Sequence, residues 1–431
     1  MRIAYITSGA AGMFCGSCMR DNTLAAELQR QGHDTLLIPT FTPIRTDEAD
    51  VSQSRVFFGG INVYLQQKSS LFRWTPRWLD RLLDSNWLLR YVSRFASRTP
   101  YSQLGDLTLS MLRGEMGNQA KEIDKLIDWL EADHRPDVIV LTNVLISGMV
   151  HRMRDRLKVP VVGSLQGDDI FLDMLPEPAR TQAIDLISVH CNEMQGFIAT
   201  SGYYADFMSE YLRIPRERID VVQPGIKISS EKRAASVSDR SIPITIGYFA
   251  RICPEKGLHH LIDAFIHLRA SPGAPPCRLR VSGWLGENYR GYFEEQKTKL
   301  ASANLLSDFE HVDCPDHASK NRFMQSLDVM SVPTTYHEPK GLYLLEAWAN
   351  GVPVVQPAHG AFPELIAATG GGVLVPPNDP VALADALRKL IENPDERRRL
   401  AQAGHDAVIT NFTAETMARN TLKVLERVVL E

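Results

Sequence analysis

Short apolar runs rich in β-branched residues alternate along this chain with longer segments of helical period, and the alternation occurs twice. It is typical of parallel sheets built from β-α-β units, whose strands are apolar on both faces because helices cover both sides. Strands are predicted at residues 2–7, 35–39, 137–141, 160–164, 196–200 and 220–222, and again at 244–249, 279–282, 329–332, 353–355 and 372–375. The predicted fold class is α/β, with two doubly wound, Rossmann-like domains.

A polar stretch at residues 229–241 separates the two series of strands and indicates a linker. With 431 residues the chain is too long for one hydrophobic core, and roughly 150 residues per domain gives two or three domains. We predict a first domain over residues 1–226 and a second over 227–412. The final helical segment, about 413–431, is expected to pack back on the first domain.

The charge balance excludes a general attraction to nucleic acid, because 47 Lys and Arg residues stand against 51 Asp and Glu residues. No stretch approaches the ~20 apolar residues that a membrane-spanning helix needs. The amino-terminal apolar run is also too short for a signal peptide. We therefore expect a cytoplasmic protein, with peripheral contact to the inner membrane face left open.

Residues 70–98 do not fit the alternation, since they combine large aromatic residues with arginines at four-residue spacing. The spacing predicts two amphipathic helices within an insert at about 70–118. A basic helix that carries tryptophan can lie on an anionic membrane. The alternative, which we favour, is an insert that caps the first domain with its arginines in water.

Cys15 and Cys18 form a Cys-x-x-Cys motif, which elsewhere is half of a zinc site or a redox pair. No second Cys or His pair at ligand spacing accompanies them, and the other four cysteines are scattered. We interpret the two as small residues in a tight loop of a reduced protein, with a redox role as the alternative.

The strongest constellation surrounds a predicted helix that Gly341 opens and Gly351 closes. The start of a helix presents backbone N–H groups and the positive end of the dipole, and glycine lets a phosphate come close. Glu338 precedes this helix and Glu346 lies within it, so one carboxylate could bind a ribose and the other a transferred sugar. The alternative is that both glutamates are solvated or cap the helix.

A second cationic element follows the predicted strand at 244–249, where a loop carries Arg251 and Lys256 before another helix. A guanidinium fork and an ammonium are the usual groups that bind a diphosphate. With the Gly341 helix they would neutralise a leaving diphosphate without a metal, and the chain has no Asp-x-Asp pair of the kind that holds Mg²⁺ or Mn²⁺. We expect no metal and no bound cofactor.

Several motifs follow one another in a fixed order: the first strand with its glycine loop, Gly32-His33, Arg251 with Lys256, Gly283, Glu338-x7-Glu346, Phe362-Pro363-Glu364 and the segment 371–380. In this order and spacing the chain resembles the family 4 retaining glycosyltransferases of the GT-B fold. The resemblance covers nearly the whole chain and is densest over residues 247–380.

That resemblance implies two Rossmann-like domains facing each other across a cleft, the first binding the acceptor and the second a nucleotide-sugar donor. It implies transfer of a hexose from a nucleotide-diphosphate sugar to an acceptor hydroxyl, with retention and without a metal, in the EC 2.4 class. The leaving phosphate would help to deprotonate the acceptor, so no protein nucleophile is required. The acceptor (sugar, glycan, lipid-linked molecule or small metabolite) and the oligomeric state stay open.

The family's functional residues carry over by matching position. Arg251 and Lys256 would bind the donor diphosphate, the Gly341-Leu342 backbone would meet phosphate, Glu346 would hold the ribose, Glu338 would face the donor sugar, and the base would lie near Val312. Gly12 and Gly16 of the first glycine loop, with Gly283, complete the predicted donor set, although such glycines also serve tight turns for steric reasons alone. Asp168 and Asp169 are assigned to the acceptor side.

Two positions depart from the family pattern. Gln166 stands where relatives have a histidine that meets the donor sugar, and glutamine can bind a hydroxyl but cannot carry a proton. Lys340 stands where many relatives have phenylalanine, and its charge could add to phosphate binding or reach the sugar. The identity of the donor is therefore less certain than the class of reaction.

Three other functions compete with transfer. A protein of this fold could bind nucleotide sugar or glycan without turnover, or act as an epimerase, and Gln166 keeps that alternative open. A glycoside hydrolase would need two carboxylates about 5 to 9 Å apart, and Arg251 and Lys256 would have no role in it. A dinucleotide oxidoreductase is least favoured, because no acidic residue ends the second predicted strand.

Overall fold

The computed structural model describes residues 1–9, 15–54, 56–58, 101–228 and 243–431. The described strands form two six-stranded sheets, and every pairing is parallel. The predicted α/β class with two doubly wound sheets is therefore confirmed.

The first sheet has the order β2-β1-β3-β4-β5-β6. Its strands are β1 (Arg2–Thr7), β2 (Asp34–Pro39), β3 (Val138–Leu141), β4 (Val161–Leu165), β5 (Gly196–Ala199) and β6 (Ile219–Val221). Its helices are Gly16–Arg30, Tyr101–Leu112, Ala120–Trp129, Val150–Leu157, Asp168–Leu172, Ala179–Cys191 and Gly202–Leu212. In β1, Ile3 pairs with Thr35 of β2 on one side and with Val138 of β3 on the other.

The second sheet has the order β12-β11-β10-β7-β8-β9. Its strands are β7 (Ile244–Phe249), β8 (Cys277–Ser282), β9 (Phe309–Val312), β10 (Val329–Met330), β11 (Val354–Pro357) and β12 (Gly372–Val375). Its helices are Leu258–Ala270, Arg290–Ser302, His317–Gln325, Leu342–Ala349, Phe362–Thr369, Pro380–Glu392 and Pro394–Asn411, and the chain ends with the helix Ala414–Leu430.

The alternating side chains of β1 show why these strands are apolar throughout. Ala4 and Ile6 belong to one buried cluster of the first sheet, and Ile3 and Tyr5 belong to another. The second of these clusters contains apolar side chains of the Ala414–Leu430 helix, among them Met417, Leu425 and Val428. Burying a Leu or Val side chain contributes about 1.5–3 kcal/mol, so these contacts attach the carboxyl-terminal helix firmly to this sheet.

The chain divides into two compact units, which are described separately below. Unit 1 comprises Met1–Gln223 and Met417–Glu431, and unit 2 comprises Pro224–Thr416. The sequence-based boundaries lie within a few residues of these divisions. The predicted linker at 229–241 and the amphipathic segment at 70–98 lie outside the described residues; of the predicted insert, the helix Tyr101–Leu112 is described.

One strand has no counterpart among the sequence predictions. β9 carries Glu310 and His311 in its centre and is only half-buried, because it forms the edge of the second sheet beside β8. An edge strand keeps one face in water and lacks the continuous apolar run that identifies its neighbours. The predicted strand at 329–332 is also shorter than expected, since only Val329–Met330 is a strand.

In both sheets the strand order reverses beside the first strand of the unit, between β1 and β3 in unit 1 and between β7 and β10 in unit 2. The loops after two such strands lead to opposite sides of the sheet and leave a crevice at the carboxyl ends. Ligand sites in open parallel sheets occur at these positions. The charged candidate residues Arg251, Lys256 and Glu338 of unit 2 and Gln166 of unit 1 follow strands at or next to these points, whereas Gly283 follows β8 and Val312 ends β9.

Candidate active site

Three loops of unit 2 meet at the carboxyl ends of the adjacent strands β7, β10 and β11. Gly257 has φ +71°, and a Cβ there would lie 1.7 Å from the carbonyl oxygen of Pro333, so only glycine allows the first loop to approach the second. The N–H of Thr335 donates to the carbonyl of Glu255 at 3.0 Å and ties the same two loops together. Gly360, at φ +60°, packs the third loop against the backbone of Glu338.

Glu338 lies at the centre of these loops and is 2% exposed. Its Oε2 accepts from Lys256 Nζ at 2.7 Å, from Tyr336 Oη at 2.7 Å and from Tyr343 Oη at 3.2 Å. Its Oε1 accepts from the N–H groups of Lys340 and Gly341, at 3.4 and 3.3 Å. A carboxylate has about four lone-pair sites, so a further hydroxyl can bind only in exchange for one of these donors.

The charge state of Glu338 follows from its partners. Burial raises the pKa of the carboxyl, but the Lys256 ammonium, the Tyr336 hydroxyl and the charge of Lys340 outweigh it and lower the pKa to about 2. Glu338 is therefore ionised at neutral pH, and it accepts hydrogen bonds without being able to donate a proton.

Lys256 is held by more than its ion pair. Its Nζ also donates to Tyr336 Oη, and it lies 4.9 Å from the Tyr336 ring centroid and 5.1 Å from that of Tyr343. Such cation–π contacts favour a desolvated ammonium. Two of the three Nζ hydrogens are thus bound, which leaves one for another acceptor.

Arg251 differs from Lys256, because its guanidinium forms no ion pair with any carboxylate in the described part of the chain. The residue is half-buried, and Tyr248 Oη donates to its carbonyl at 3.1 Å, which fixes the backbone at this point. Apart from a side-chain hydrogen bond with Cys253, the donors of this charged guanidinium are available for an anion.

The helix Leu342–Ala349 begins as predicted at a glycine, with Gly341 as its N-cap at φ +59°. The expectation of free N–H groups needs a correction, since the Gly341 N–H is donated to Glu338. The N–H groups of Leu342 and Tyr343 have no hydrogen-bond partner among the described residues. The available donors therefore lie one residue further into the helix than the sequence predicted.

The remaining predicted donor residues of unit 2 are Glu346, Gly283 and Val312, which lie on three different elements. Glu346 Oε1 accepts from Lys320 Nζ at 2.7 Å, in a pair whose side chains are 12% and 6% exposed. Gly283 follows β8 at φ +138°, where a Cβ would lie 1.7 Å from the Ala250 carbonyl, so its steric role is established while a ligand contact stays a prediction. Val312, the last residue of β9, is half-buried.

Gln166 of unit 1 is buried directly after β4, and its amide faces inward. Its Nε2 donates to the carbonyl of Thr142 at 2.8 Å and to Asp21 Oδ1 at 3.2 Å. Asp21 is completely buried and also accepts from Tyr5 Oη at 2.9 Å and from Arg20 Nη1 at 3.3 Å. The structure thus joins Gln166 to a buried ion pair at the β1/β3 crevice.

Sequence reasoning missed Arg20 and Asp21, although a signal was present. Asp21, Leu24 and Leu28 have the i, i+3, i+7 spacing of one helical face, and all three are buried. A carboxylate at a core position of an amphipathic helix needs a buried partner, which here is Arg20 together with hydroxyl and amide donors.

Asp168 and Asp169 do not act as a pair. Asp168 is buried, with its carboxyl accepting from the N–H groups of Val144 and Gln166 at 2.8 and 3.0 Å, and burial raises its pKa to about 7. Asp169 is half-buried and accepts from Tyr204 Oη at 2.5 Å. Asp168 connects the loops after β3 and β4, and only Asp169 retains partial access to solvent.

The first glycine loop is described only in part. Gly12 lies outside the described residues, and Gly16 is the first residue of the helix Gly16–Arg30. The interpretation of Cys15 and Cys18 as loop residues is half right, because Cys15 is the N-cap and Cys18 is buried in the first turn of that helix. Neither cysteine forms a disulfide bond with another described residue.

Among the described residues, no group of three or more His, Cys, Asp or Glu side chains is arranged to hold a metal ion. Within the same ranges, no helix has both the length and the apolar character needed to cross a membrane.

Comparison with solved structures identifies the class of protein that this fold and crevice define. A crystal structure from Anabaena, Alr3699/HepE in complex with UDP, matches with a TM-score of 0.69 over 99% of this chain and 100% of the other, at 17% identity. Two parallel α/β units of this kind constitute the GT-B fold, as the sequence predicted.

Family models then identify the particular family. Residues 22–225 match the description Glycosyl transferase 4-like domain, and residues 230–407 match Glycosyl transferases group 1. The chain belongs to the group 1 glycosyltransferases and is a transferase enzyme. This result confirms the family that the motif order predicted.

Curated relatives agree with this assignment. The glycogen synthase of Mycobacterium tuberculosis is 26% identical over 298 residues, which are 67% of this chain and 68% of the relative. The lipopolysaccharide core biosynthesis mannosyltransferase LpsB of Rhizobium meliloti is 30% identical over 246 residues, which are 54% of this chain and 66% of the relative.

Proposed function

We propose that this enzyme transfers a hexose from a nucleotide-diphosphate sugar to an acceptor hydroxyl, with retention of the anomeric configuration and without a metal ion. The observation that carries the proposal is the cluster of Arg251, Lys256 and Glu338 at the β7/β10 crevice, beside the amino end of the Leu342–Ala349 helix. A crystal structure of the Anabaena neighbour contains UDP-glucose, which supports a donor of this class.

The charges of the cluster suit a diphosphate. Arg251, Lys256 and Lys340 supply three positive charges and Glu338 one negative charge, so a nucleoside diphosphate ester meets a net positive site. The free donors of Arg251, the third Nζ hydrogen of Lys256 and the N–H groups of Leu342 and Tyr343 offer hydrogen bonds to phosphate oxygens. The positive end of the helix dipole adds to the same field.

In the proposed reaction, the bond between the anomeric carbon and the β-phosphate oxygen breaks while the acceptor oxygen bonds to that carbon. The bonding electron pair leaves with the phosphate, and the departing phosphate oxygen takes the proton of the acceptor hydroxyl. Glu338 is ionised, so it has no proton to give to the leaving phosphate, and its low pKa makes it a weak base toward the acceptor hydroxyl; its contribution is positioning and charge stabilisation. Glu338 facing the donor sugar, Glu346 holding the ribose and Gln166 meeting the sugar remain parts of this proposal.

Nucleoside diphosphate binding tests the site directly. Arg251→Ala and Lys256→Ala should each weaken the affinity for a nucleoside diphosphate by about 1.5 to 3 kcal/mol, because each removes a charged hydrogen bond. Arg388→Ala is the matched control, since Arg388 pairs with Glu392 on an exposed helix surface. Equal calorimetric affinities for all three variants and the wild type would reject the assignment.

Turnover separates transfer from the alternatives. Nucleoside diphosphate should be released when donor and acceptor are supplied together, and not with either alone, and release should continue in excess chelator. Binding of donor without any release would favour a non-catalytic protein. Free sugar formed without nucleotide release would indicate hydrolysis of a glycoside.

A further inference from the structure

Two tyrosine hydroxyl groups converge on the carboxylate oxygen that Lys256 contacts. Tyr336 Oη lies 2.7 Å from Glu338 Oε2 and Tyr343 Oη lies 3.2 Å from it. The Tyr336 hydroxyl also accepts from Lys256 Nζ, so it bridges the cation and the anion. The Tyr336 hydroxyl therefore contacts both partners of the direct Lys256–Glu338 ion pair, whose atoms lie 2.7 Å apart.

The two rings act on the same ammonium. Lys256 Nζ lies 4.9 and 5.1 Å from the ring centroids of Tyr336 and Tyr343, while its third contact is Glu338. Fixing a lysine side chain costs up to about 2 kcal/mol in rotamer entropy. Here the side chain is already fixed by the two rings and Glu338 when the protein folds, so ligand binding does not have to offset this loss. The lysine is consequently ordered before any anion is bound.

The backbone holds both tyrosines in place. Tyr336 lies in the loop after β10, where Thr334 Oγ1 donates to the Tyr336 carbonyl at 3.0 Å and Thr335 N–H donates to the Glu255 carbonyl. Tyr343 lies in the first turn of the Leu342–Ala349 helix and is buried. The enclosure is thus built from a hydrogen-bonded loop and the first turn of a helix, each of which places one ring centroid 4.9 or 5.1 Å from Lys256 Nζ.

We propose that Tyr336 is a positioning residue for sugar transfer, with Tyr343 in a supporting role, because together they hold Lys256 and Glu338 in one arrangement. Lys256 then meets the diphosphate through its remaining N–H without reorienting. Charge stabilisation is most effective when the donors are in place before the transition state forms. This inference rests on the proposed function, in which Lys256 contacts the donor diphosphate.

A different role for the hydroxyls makes the opposite prediction. If they only occupy acceptor sites of Glu338 that a sugar hydroxyl must take, their removal would ease donor binding. Tyr336→Phe would then lower the donor KM or raise kcat. Under the positioning role, the same change lowers kcat/KM.

Steady-state kinetics of four variants test the proposal. Tyr336→Phe keeps the ring and should lower kcat/KM about tenfold to a hundredfold, the range for a hydrogen bond to a charged group. Tyr343→Phe should lower it only a few-fold, because its hydroxyl bond is longer and does not involve Lys256. Tyr292→Phe is the control in the same unit, since its hydroxyl bonds His259, and it should leave the rate unchanged.

A double-mutant cycle separates positioning from general loss of structure. In the Lys256→Met background, Tyr336→Phe should cause a much smaller loss than in the wild type, because only its bond to Glu338 is then left to remove. An equal loss in both backgrounds, or a wild-type rate for Tyr336→Phe, would overturn the proposal. If Tyr336→Phe does not fold, the few-fold loss in Tyr343→Phe, expected to vanish in the Glu338→Gln background, provides the same test.

Failure of the proposed function would look different. Arg251→Ala and Lys256→Ala would then keep wild-type affinity for nucleoside diphosphate, or the wild type would transfer no sugar. Failure of the positioning role alone leaves those affinities lowered while Tyr336→Phe retains the full rate.

Discussion

Each unit has a buried carboxylate at the point where its strand order reverses, yet the two carboxylates are in opposite electrostatic situations. Asp21 of unit 1 has Arg20 at 3.3 Å, and its burial raises the pKa above the usual value despite hydroxyl and amide donors. Glu338 of unit 2 has Lys256 at 2.7 Å and Lys340 nearby, and its pKa falls to about 2. The distance and number of the neighbouring cations decide whether burial, which raises the pKa of a carboxyl group, or attraction to positive charge, which lowers it, is the larger effect.

The environments of the two cations differ as well. The Arg20 side chain is 1% exposed and is enclosed with its carboxylate beneath the crevice, whereas Lys256 is 14% exposed and keeps one hydrogen for another partner. Arg20 Nε has no hydrogen-bond partner among the described residues, but it is fully buried, so this pair serves the arrangement of the loops around it. A pair at the surface of a crevice, with an accessible donor left over, suits an anionic ligand.

Removing the carboxylate of unit 1 should have the largest effect. Asp21→Ala leaves Arg20 charged and unpaired in the core, and should lower the free energy of unfolding by about 3 to 5 kcal/mol. Urea denaturation measures the loss. Asp155→Ala, which removes an exposed pair with Lys158, is the control and should cost less than about 1 kcal/mol. A loss for Asp21→Ala as small as that of the control would contradict the structural role of the pair.

Neutralising the carboxylate of unit 2 should affect rate more than stability. Glu338→Gln keeps the shape but removes the charge that holds Lys256, and should lower turnover by roughly 100- to 1000-fold while nucleoside diphosphate binding survives. Initial rates and calorimetry together test this expectation. Glu294→Gln, on an exposed helix face, is the control. Unchanged turnover in Glu338→Gln would contradict the proposed role of this carboxylate in the transfer reaction.

Asp168 is another buried carboxyl group, and unlike Glu338 it should make the stability of the protein depend on pH. Burial raises its pKa from the ordinary 3.8 to about 7 in the folded protein, so between these pH values the folded state holds a proton that the unfolded state has lost. Stability contributed by the protonated form is therefore present at low pH and lost as pH rises toward 7, by up to about 1.4 kcal/mol per pH unit.

The Asp168→Asn variant should lack this dependence. Urea denaturation at several pH values between 4.5 and 8 would show the free energy of unfolding of the wild type falling relative to that of the variant, with no further change above pH 7. Parallel curves for the two proteins would show that Asp168 is ionised throughout this range, as Glu338 is.

The fold was predictable because its signals are local and repeated. The apolar runs of β1, β7 and β12 have the same bounds in the structure as in the prediction. β9 was missed, since an edge strand with Glu310 and His311 at its centre carries no such run. Apolar sequence patterns identify a strand through its buried residues, so they do not identify a strand that is only half-buried.

The candidate site was predictable only in its charged residues. Arg251, Lys256 and Glu338 were singled out by spacing and resemblance, and the structure places Lys256 and Glu338 in direct contact. Tyr336 and Tyr343 carried no signal of their own, because a tyrosine in a loop or in a helical first turn is equally compatible with ordinary packing.

The sequence by itself determined the α/β class, the two sheets, the family and the charged residues of the crevice, because each depends on periodicity or on residue order. Only the tertiary structure decided which donors Glu338 accepts, that the Gly341 N–H is already bound, and that Gln166 faces Asp21. Those facts depend on loops that approach one another after strands far apart in the chain, and their spacing is set by contacts such as Gly257 against Pro333.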